Sequence, residues 1–185
     1  CSADDITATL AGALGGCFEA PLFEFADGGI NMIVKGAPTF RADASTASVA
    51  AGGGEENGDR VRSFDAKNGC FYAVVNDGMG SGRAAATKSA KAALFLEKML
   101  HAGNDVTAAL ELLSALARTD REEGFTTVDL FALDCFTGQG SFFKSGAAPS
   151  FVKRGDRIFK IRSRTVPIGI LEDVDAEKTV FACED

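Results

Sequence analysis

Two helical segments follow one another in the middle of this chain, and strand-like segments lie both before and after them. Residues 83–101 and 106–117 carry apolar side chains at helical spacing, with Gly103 between them. The strand-like segments are joined by short turns. Turns of this length connect antiparallel neighbours, because parallel strands need a crossover of about a dozen residues or more. This order predicts an α+β fold with antiparallel sheets rather than a doubly wound parallel one.

Turn-forming residues separate the predicted strands along the chain. Ser2 and Asp5 predict a capped helix over residues 2–14, and the glycine-rich residues 50–57 predict a loop. The predicted strands cover residues 22–26, 30–35, 39–49, 60–64, 70–75, 128–136, 141–145, 151–154, 157–162 and 179–183. No repeat or long linker divides them, so we expect residues 1–185 to form a single domain.

The composition is that of a globular domain with a sizeable core, and it argues against several classes of function. Of the 185 residues, 46% are hydrophobic and 24% are charged, and the formal net charge is −7. An excess of carboxylates opposes binding to nucleic acid or anionic lipid through the net field. No apolar run approaches the roughly 20 residues of a membrane-spanning helix. We therefore expect no nucleic acid partner and no direct membrane contact by this domain.

The cysteines and the single histidine are too scattered for several kinds of site. The five cysteines form no C-x-x-C pair, which disfavours a zinc ribbon and a complete disulfide framework. Cys70 and Cys135 lie in apolar runs, so we expect them to be buried as small hydrophobic residues. His101 is the only histidine, which disfavours a histidine-based triad or a multi-histidine metal site.

A carboxylate stands at the end of the most apolar predicted strand. Asp77 follows the run at 70–75, and three alternating glycines lead from it into the next helix. Three interpretations compete: a turn in which Asp77 caps the helix, a phosphate-binding loop, and a site for a hard metal ion. The phosphate loop is the weakest, since no G-x-x-x-x-G-K-[ST] motif is present. In the metal site, Asp77 supplies carboxylate oxygens and Gly78 its carbonyl, with glycine allowing a close approach.

A site for Mg²⁺ or Mn²⁺ needs more than one carboxylate, and Asp59 is the best second candidate. It immediately precedes the predicted strand at 60–64, whose start would lie near the end of the strand at 70–75. The alternative for Asp59 is an ordinary turn residue. Asp129 and Asp134 are five residues apart on one predicted strand and point to opposite faces. We expect hydrogen bonds rather than a metal to hold Asp129.

Several blocks of this sequence occur in an order typical of one enzyme family. They are Asn57-Gly-Asp59 in place of the family's Ser-Gly-Asp, Asn76-Asp-Gly-Met-Gly-Ser-Gly82, Thr126-Thr-Val-Asp-Leu130, Ser145-Gly-Ala-Ala-Pro-Ser-Phe-Val-Lys-Arg-Gly-Asp156 and Val166-Pro-Ile-Gly-Ile-Leu171. On these blocks the chain resembles the phosphatase domains of the stage II sporulation protein E family. That family belongs to the metal-dependent PPM Ser/Thr protein phosphatases.

The resemblance implies a four-layer αββα sandwich, two antiparallel sheets flanked by helices, with a dinuclear Mn²⁺ or Mg²⁺ site at one sheet edge. Asp77 matches the carboxylate that bridges both ions and is the expected catalytic residue. Gly78 matches the residue whose carbonyl binds one ion, and Asp59 the acidic position beside that ion. The implied reaction is the hydrolysis of phosphoserine or phosphothreonine by a metal-activated water.

The chain departs from the family pattern in two places. Asn57 and Arg60 replace the usual serines around Asp59, and Arg60 would bring positive charge beside the cation. Family members also continue after the strand matching 180–183 with further aspartates, which complete the other metal position and do not lie in this sequence. We therefore expect a PPM domain over residues 1–185 that lacks its C-terminal part, holds at most one weak ion and has little or no activity of its own.

Partners and location are also implied by the resemblance. In this family the substrate is a phosphorylated anti-sigma-factor antagonist, a small STAS-domain protein, so we expect a phosphorylated STAS-domain-like partner. A possible homodimer and a cytoplasmic location, as the cytoplasmic domain of a membrane protein, are further implications. From the residues themselves, basic side chains between 153 and 164 predict either a solvated strand face or a docking site for an acidic partner.

Two other functions stay open at this point. One is a pseudophosphatase, or a regulatory interaction module, which binds a partner without turnover. The other, less favoured, is a nucleotide-binding domain that uses the glycines at 78–82.

Overall fold

The computed structural model describes residues 2–26, 28–49, 57–80, 82–119 and 125–183. The helices are α1 (Ala3–Leu14), α2 (Gly82–His101) and α3 (Val106–Thr119). The strands are β1 (Cys17–Phe18), β2 (Leu22–Ala26), β3 (Gly29–Ile33), β4 (Gly36–Ala37), β5 (Asp59–Asp65), β6 (Cys70–Asp77), β7 (Val128–Asp134), β8 (Gln139–Ser145), β9 (Ser150–Arg154), β10 (Arg157–Ile161) and β11 (Glu177–Ala182).

One five-stranded antiparallel sheet organises the fold, with strand order β11-β8-β7-β6-β5. Short connections join β5 to β6 and β7 to β8, as the sequence predicts, whereas the two long helices separate β6 from β7. In this register Asp59 lies opposite Asp77, and Asp129 lies between Val75 and Lys144. The site candidates at the ends of β5 and β6 therefore share one edge of the sheet.

The helices cover one face of this sheet. Alternate residues of β6 and β7, such as Val74 and Leu130, point toward α2 and α3 and are fully buried. Leu96, Leu100 and Leu110 meet them from the helices at 0–1% exposure. At roughly 1.5–3 kcal/mol for each such side chain, this layer is the main apolar stabilisation of the chain.

A smaller apolar cluster lies on the opposite face. Phe71, Leu133 and Cys135 are buried there, and Phe40 packs against them. The peptide N–H groups of Thr39 and Phe40 both donate to the Cys135 carbonyl at 2.9 Å. The α+β class is thus confirmed: helices cover one face of an antiparallel sheet, and a smaller apolar cluster lies on the other face.

The remaining strands pair locally. Antiparallel two-stranded sheets are formed by β1 with β4, β2 with β3, and β9 with β10. The hairpins at 22–33 and 150–161 follow the predicted strands closely. Helix α1 has the predicted capping box, in which Asp5 N–H donates to Ser2 Oγ and Ser2 N–H donates to the Asp5 carboxylate.

One predicted strand is wrong. Residues 39–49 form no strand in the described part of the chain. Phe40 inserts into the second cluster, and its backbone N–H donates to the Cys135 carbonyl instead of joining a strand ladder.

Of the loop predicted at 50–57, residues 50–56 lie outside the described residues. None of the described helices has the length and apolar character of a membrane span.

Candidate metal centre

Asp59 and Asp77 face each other across the first register pair of β5 and β6. Asp59 is the first residue of β5, and Asp77 is the last residue of β6, two residues beyond the predicted strand end. Both residues are exposed, at the same edge of the sheet. The structure therefore brings the two predicted carboxylates together.

Asp59 acts on the titration of Asp77. Although Asp77 is exposed by surface area, partial burial of its carboxyl group raises the pKa of Asp77, and the charge of Asp59 and a hydrogen bond with the Asp59 side chain raise this pKa further. Two carboxylates in such a pair are most stable with a proton or a cation between them. The pair is thus a potential cation-binding site on electrostatic grounds.

Backbone and side-chain oxygens converge beside this pair. A Cβ atom placed on Gly58 would lie 3.6 Å from the Gly78 carbonyl oxygen and 3.8 Å from Asp77 Oδ1. The Asp77 carboxylate and the Gly78 carbonyl therefore both lie next to the residue that precedes Asp59. Carboxylate and carbonyl oxygens are the ligands that Mg²⁺ and Mn²⁺ favour, so this donor set fits the predicted ions.

Two threonines clamp the backbone of Asp77 from the neighbouring chain segment. The Asp77 N–H donates to Thr127 Oγ1 at 3.1 Å, while the Asp77 carbonyl accepts from Thr127 N–H at 2.9 Å and from Thr126 Oγ1 at 3.0 Å. Asn76 is fully buried, and its amide Nδ2 donates to the Thr127 carbonyl at 2.9 Å. The end of β6 is consequently fixed by side chains as well as by its ladder.

Gly78 is required by the helix that follows. A Cβ on Gly78 would lie only 2.0 Å from the Ala85 carbonyl oxygen, which is backbone and cannot move aside cheaply. The first turn of α2 packs directly on this position, and Ala85 is fully buried. A close approach of a metal was the predicted reason for this glycine, whereas the close contact in the structure is with the backbone of α2.

A buried serine ties α2 to the start of β5. Ser89 is fully buried, and its Oγ donates to the Gly58 carbonyl; the Ala85 and Ala86 carbonyls lie at 3.2 and 3.1 Å. Asp59 follows Gly58 directly. The helix therefore holds the backbone on both sides of the carboxylate pair, at Gly58 and at Gly78.

The side chain of Arg60 turns back toward the backbone. Its Nη1 donates to the carbonyls of Asn57 and Asp59 at 2.8 Å each. Asn57 in turn accepts from the Asp59 N–H at 3.0 Å through Oδ1. Among the described residues, Arg60 forms no ion pair with a carboxylate, so its charge stays beside the pair without neutralising it.

The other two predicted carboxylates have structural partners. Lys144 Nζ and Ser150 Oγ both donate to Asp129 Oδ2, which confirms that hydrogen bonds hold Asp129. Asp134 accepts from the N–H groups of Phe136 and Thr137 at 2.9 and 3.3 Å, and so closes the turn after β7. Neither residue belongs to the Asp59 and Asp77 edge.

Several residues of this edge were not singled out for a role by sequence reasoning. Ser89, Thr126 and Thr127 shape it through contacts between segments far apart in the chain, for which short-range patterns give no signal. In the part of the chain that the structure describes, no group of three or more Asp, Glu, His or Cys residues could hold a metal. Among the described residues, the candidate ligands that lie together are Asp59, Asp77 and the Gly78 carbonyl.

Comparison with known sequences shows a clear family relationship. A profile of the stage II sporulation protein E (SpoIIE) family matches residues 67–185. Stage II sporulation protein E of Bacillus subtilis (strain 168) is 34% identical over 140 residues, which cover 75% of this chain and 17% of that protein. The protein of the same name from Priestia megaterium is 33% identical over 139 residues, 75% of this chain and 24% of that protein. The chain thus spans a quarter or less of the curated relatives it matches.

Comparison with solved structures gives the same result for the fold. The structure of the PP2C phosphatase domain with a fragment of the regulatory domain of SpoIIE from Bacillus subtilis matches with a TM-score of 0.79 at 27% identity. The match covers 98% of this chain and 55% of that one. The α+β arrangement is therefore that of a PP2C, or PPM-type, sandwich. Because the profile covers more than half of its residues, this chain belongs to the stage II sporulation protein E family.

Proposed function

We propose that the chain is part of a Mn²⁺- or Mg²⁺-dependent protein serine/threonine phosphatase, a hydrolase of the PPM type. The observation that carries the proposal is the pairing of Asp59 with Asp77 at the sheet edge, beside the Gly78 carbonyl. The family membership and the PP2C fold support the same reaction class. We further propose that residues 1–185 form one such domain, whose remaining metal ligands lie outside the described residues.

The cation would be held by Asp59, Asp77 and the carbonyl of Gly78. When bound, it supplies an activated water and charge neutralisation for the hydrolysis of a phosphate ester. The structure of RsbX, which was solved in complex with magnesium, has the same fold with a TM-score of 0.61 at 18% identity, over 74% of this chain and 65% of that one. Magnesium is therefore compatible with the fold, and the oxygen donors here suit Mn²⁺ equally.

The residues of this chain would contribute position and charge. The threonine clamp and α2 fix the backbone at Asp77 and Gly78, so that little ordering is needed when a cation binds. Asp77 is the catalytic residue of the proposal, since its carboxylate would touch the reacting centre. Asp59 places a second negative charge beside Asp77 at the same edge of the sheet, and the repulsion between the two carboxylates favours binding of a divalent cation.

The proposed substrate is a phosphoserine or phosphothreonine on a regulatory protein of the STAS-domain kind, such as an anti-sigma-factor antagonist. Support comes from the family resemblance. From the same resemblance we also propose that the protein forms a homodimer and that this domain is the cytoplasmic domain of a membrane protein.

Phosphatase assays test the proposal directly. Hydrolysis of an aryl phosphate and of a phosphoserine peptide is measured with Mn²⁺, with Mg²⁺ and with EDTA, for this chain and for the natural gene product that contains it. We expect metal-dependent turnover by the gene product, loss of turnover in Asp77→Asn, and retained turnover in Asp134→Asn. Turnover that survives Asp77→Asn or EDTA would overturn the proposal.

A second candidate is a pseudophosphatase or regulatory interaction module that binds a partner without turnover. The observation that favours it is the two-carboxylate site, since the described residues offer no third metal-binding side chain. The phosphatase assay distinguishes the two candidates. The second predicts that the gene product binds a partner but hydrolyses no phosphate ester with any metal ion.

A further inference from the structure

We propose that the surface between β5 and α2 docks an acidic segment of the protein substrate, an inference that rests on the proposed phosphatase function. This basic groove is defined by Arg60 and Arg62 of β5 and by Arg83, Thr87 and Lys91 of α2. It forms a cavity of about 350 Å³. The small residues Ala86 and Ala90, with Leu94 at one end, line its apolar part.

The groove concentrates positive charge in an acidic chain. The elements β5 and α2 carry six cationic side chains (Arg60, Arg62, Arg83, Lys88, Lys91 and Lys98) against three carboxylates (Asp59, Asp65 and Glu97), while the whole chain has a net charge of −7. Within the described residues, Arg62 is the one cation of the groove that forms an ion pair, at 2.6 Å to Glu97. Among the residues that the structure describes, Arg60, Arg83 and Lys91 therefore present positive charge that no ion pair compensates.

The side chains that provide this charge suit carboxylates. Arginine presents several N–H donors in a planar fork that matches a carboxylate, and the Arg60 guanidinium is already oriented by its bonds to the Asn57 and Asp59 carbonyls. Arg83 and Lys91 are both exposed and both line the groove, eight positions or about 2.2 turns apart on α2. Their charges are consequently available along the length of the groove.

The groove begins beside the candidate metal centre. Arg60 follows Asp59 directly, and Arg83 stands in the first turn of α2, five residues after Gly78. From Arg83 to Lys91 the helix rises about 12 Å, the length of roughly four residues of an extended peptide. A phosphoresidue at the Asp59 and Asp77 edge would thus place the residues that flank it in the groove, where Asp or Glu side chains meet the arginines.

A protein segment fits this surface better than nucleic acid or an anionic membrane. The groove is short, and the chain as a whole carries a net charge of −7, so a long polyanion would meet repulsion beyond the ends of the groove. A short acidic stretch of a folded protein needs only the local charge.

Binding of a fluorescent, unphosphorylated octapeptide rich in Asp and Glu tests the proposal without requiring turnover. Anisotropy titrations compare this chain with the double variant Arg83→Glu/Lys91→Glu and with Lys35→Glu/Lys67→Glu, which changes the net charge equally at exposed positions outside β5, α2 and the groove. We expect binding that weakens as the salt concentration rises. The affinity should fall about tenfold in the groove variant and much less in the control. No binding, or equal weakening by both double variants, would overturn the proposal.

Two further measurements complete the test. In the gene product, the ratio of kcat/KM for a phosphopeptide with an acidic flank to that for one with a neutral flank should fall in the groove variant. An unchanged ratio in an active enzyme overturns docking alone, whereas absence of all metal-dependent turnover overturns the proposed function and leaves the binding result standing. If polyuridine or phosphatidylserine vesicles compete as well as the acidic peptide does, the assignment to a protein partner is wrong.

Discussion

Ser89, buried in the middle of α2, donates a hydrogen bond to the carbonyl of Gly58, the residue immediately before Asp59. The bond joins a helix to the first residues of an edge strand, and so fixes the backbone from which the Asp59 carboxylate projects. Its removal leaves the Gly58 carbonyl without this donor. Ser89→Ala should therefore lower the free energy of unfolding by about 1–3 kcal/mol and weaken Mn²⁺ binding by about tenfold.

Ser114→Ala is the matched control for this change. Ser114 is also a buried helical serine, and it accepts a bond from Arg118 within α3, away from the carboxylate pair. Denaturant unfolding and Mn²⁺ titration of both variants separate a general packing effect from one on the site. Equal Mn²⁺ affinity in the two variants would contradict the positioning role of Ser89.

Gly78→Ala should destabilise the chain strongly. The added methyl group would meet the Ala85 carbonyl at 2.0 Å, so β6 and α2 must separate. Overpacking of this kind costs about 1–3 kcal/mol or more. Gly12→Ala serves as the control, because nothing lies within 4 Å of a Cβ there and the position is helical. Thermal unfolding should show a lower midpoint for Gly78→Ala and an unchanged or higher one for Gly12→Ala.

The Asp59 and Asp77 pair predicts a pH dependence of stability in the absence of metal. Burial and the neighbouring Asp59 raise the pKa of Asp77 above its ordinary value of 3.8, so the folded state binds more protons than the unfolded state. The contribution of Asp77 to stability is then fully present below pH 3.8, the ordinary pKa of the group. It is lost as the pH rises through the higher pKa that Asp77 has in the folded chain. Asp77→Asn should raise the unfolding midpoint in EDTA at pH 7 and change it little at pH 3.

Asp134→Asn should change the stability at pH 7 in the opposite direction. Burial acts to raise the pKa of Asp134, but bonds from the Thr137 hydroxyl and from the Phe136 and Thr137 N–H groups lower it overall. Its stabilisation is therefore present above the ordinary pKa and lost as the pH falls through the folded one. This variant should lower the midpoint at pH 7. The same direction of change for both variants would show that the carboxylates at 59 and 77 do not repel each other.

The buried ion pair of Lys144 with Asp129 joins β7, β8 and the first residue of β9 through Ser150. Lys144 is 1% exposed, and Asp129 Oδ1 is buried with no partner in the described structure. Lys144→Met would leave this carboxylate uncompensated and should cost about 3–5 kcal/mol.

The double variant Asp129→Leu/Lys144→Met removes both charges and should be more stable than Lys144→Met alone. Urea unfolding measures the free energy of unfolding of Lys144→Met, of Asp129→Leu and of the double variant. If the double variant loses the sum of the losses in the two single variants, the pair does not act as a unit.

Much of this arrangement could be predicted from local patterns. The apolar run ending at Asp77 and the strand beginning near Asp59 suffice to predict adjacent strands, since a short turn joins them and the register follows. The strand predicted at 39–49 shows where local patterns stop being sufficient. Its small polar residues fit a strand pattern, but the side chain of Phe40 packs over Gly138 and against the second apolar cluster, and this contact decides where the segment lies.

The supporting contacts could not be predicted in this way. Lysine is almost never fully buried, so nothing in the sequence around Lys144 indicates its position between Asp129 and Ser150. Likewise, the contacts of Ser89 with Gly58 and of Thr127 with Asp77 depend on how helix and strands pack, at separations of 31 and 50 residues. The carboxylates were therefore visible in the sequence, and the groups that hold them were not.

Direct counting of bound Mn²⁺ by electron paramagnetic resonance tests the central claim, that the Asp59 and Asp77 edge holds a divalent cation. The signal of free Mn²⁺ is recorded while this chain, Asp59→Asn, Asp77→Asn and the control Asp134→Asn are titrated in turn. We predict saturable binding by the unaltered chain and by the control, with affinity about tenfold or more lower in each of the other two variants. Coinciding titration curves for all four proteins would contradict the account.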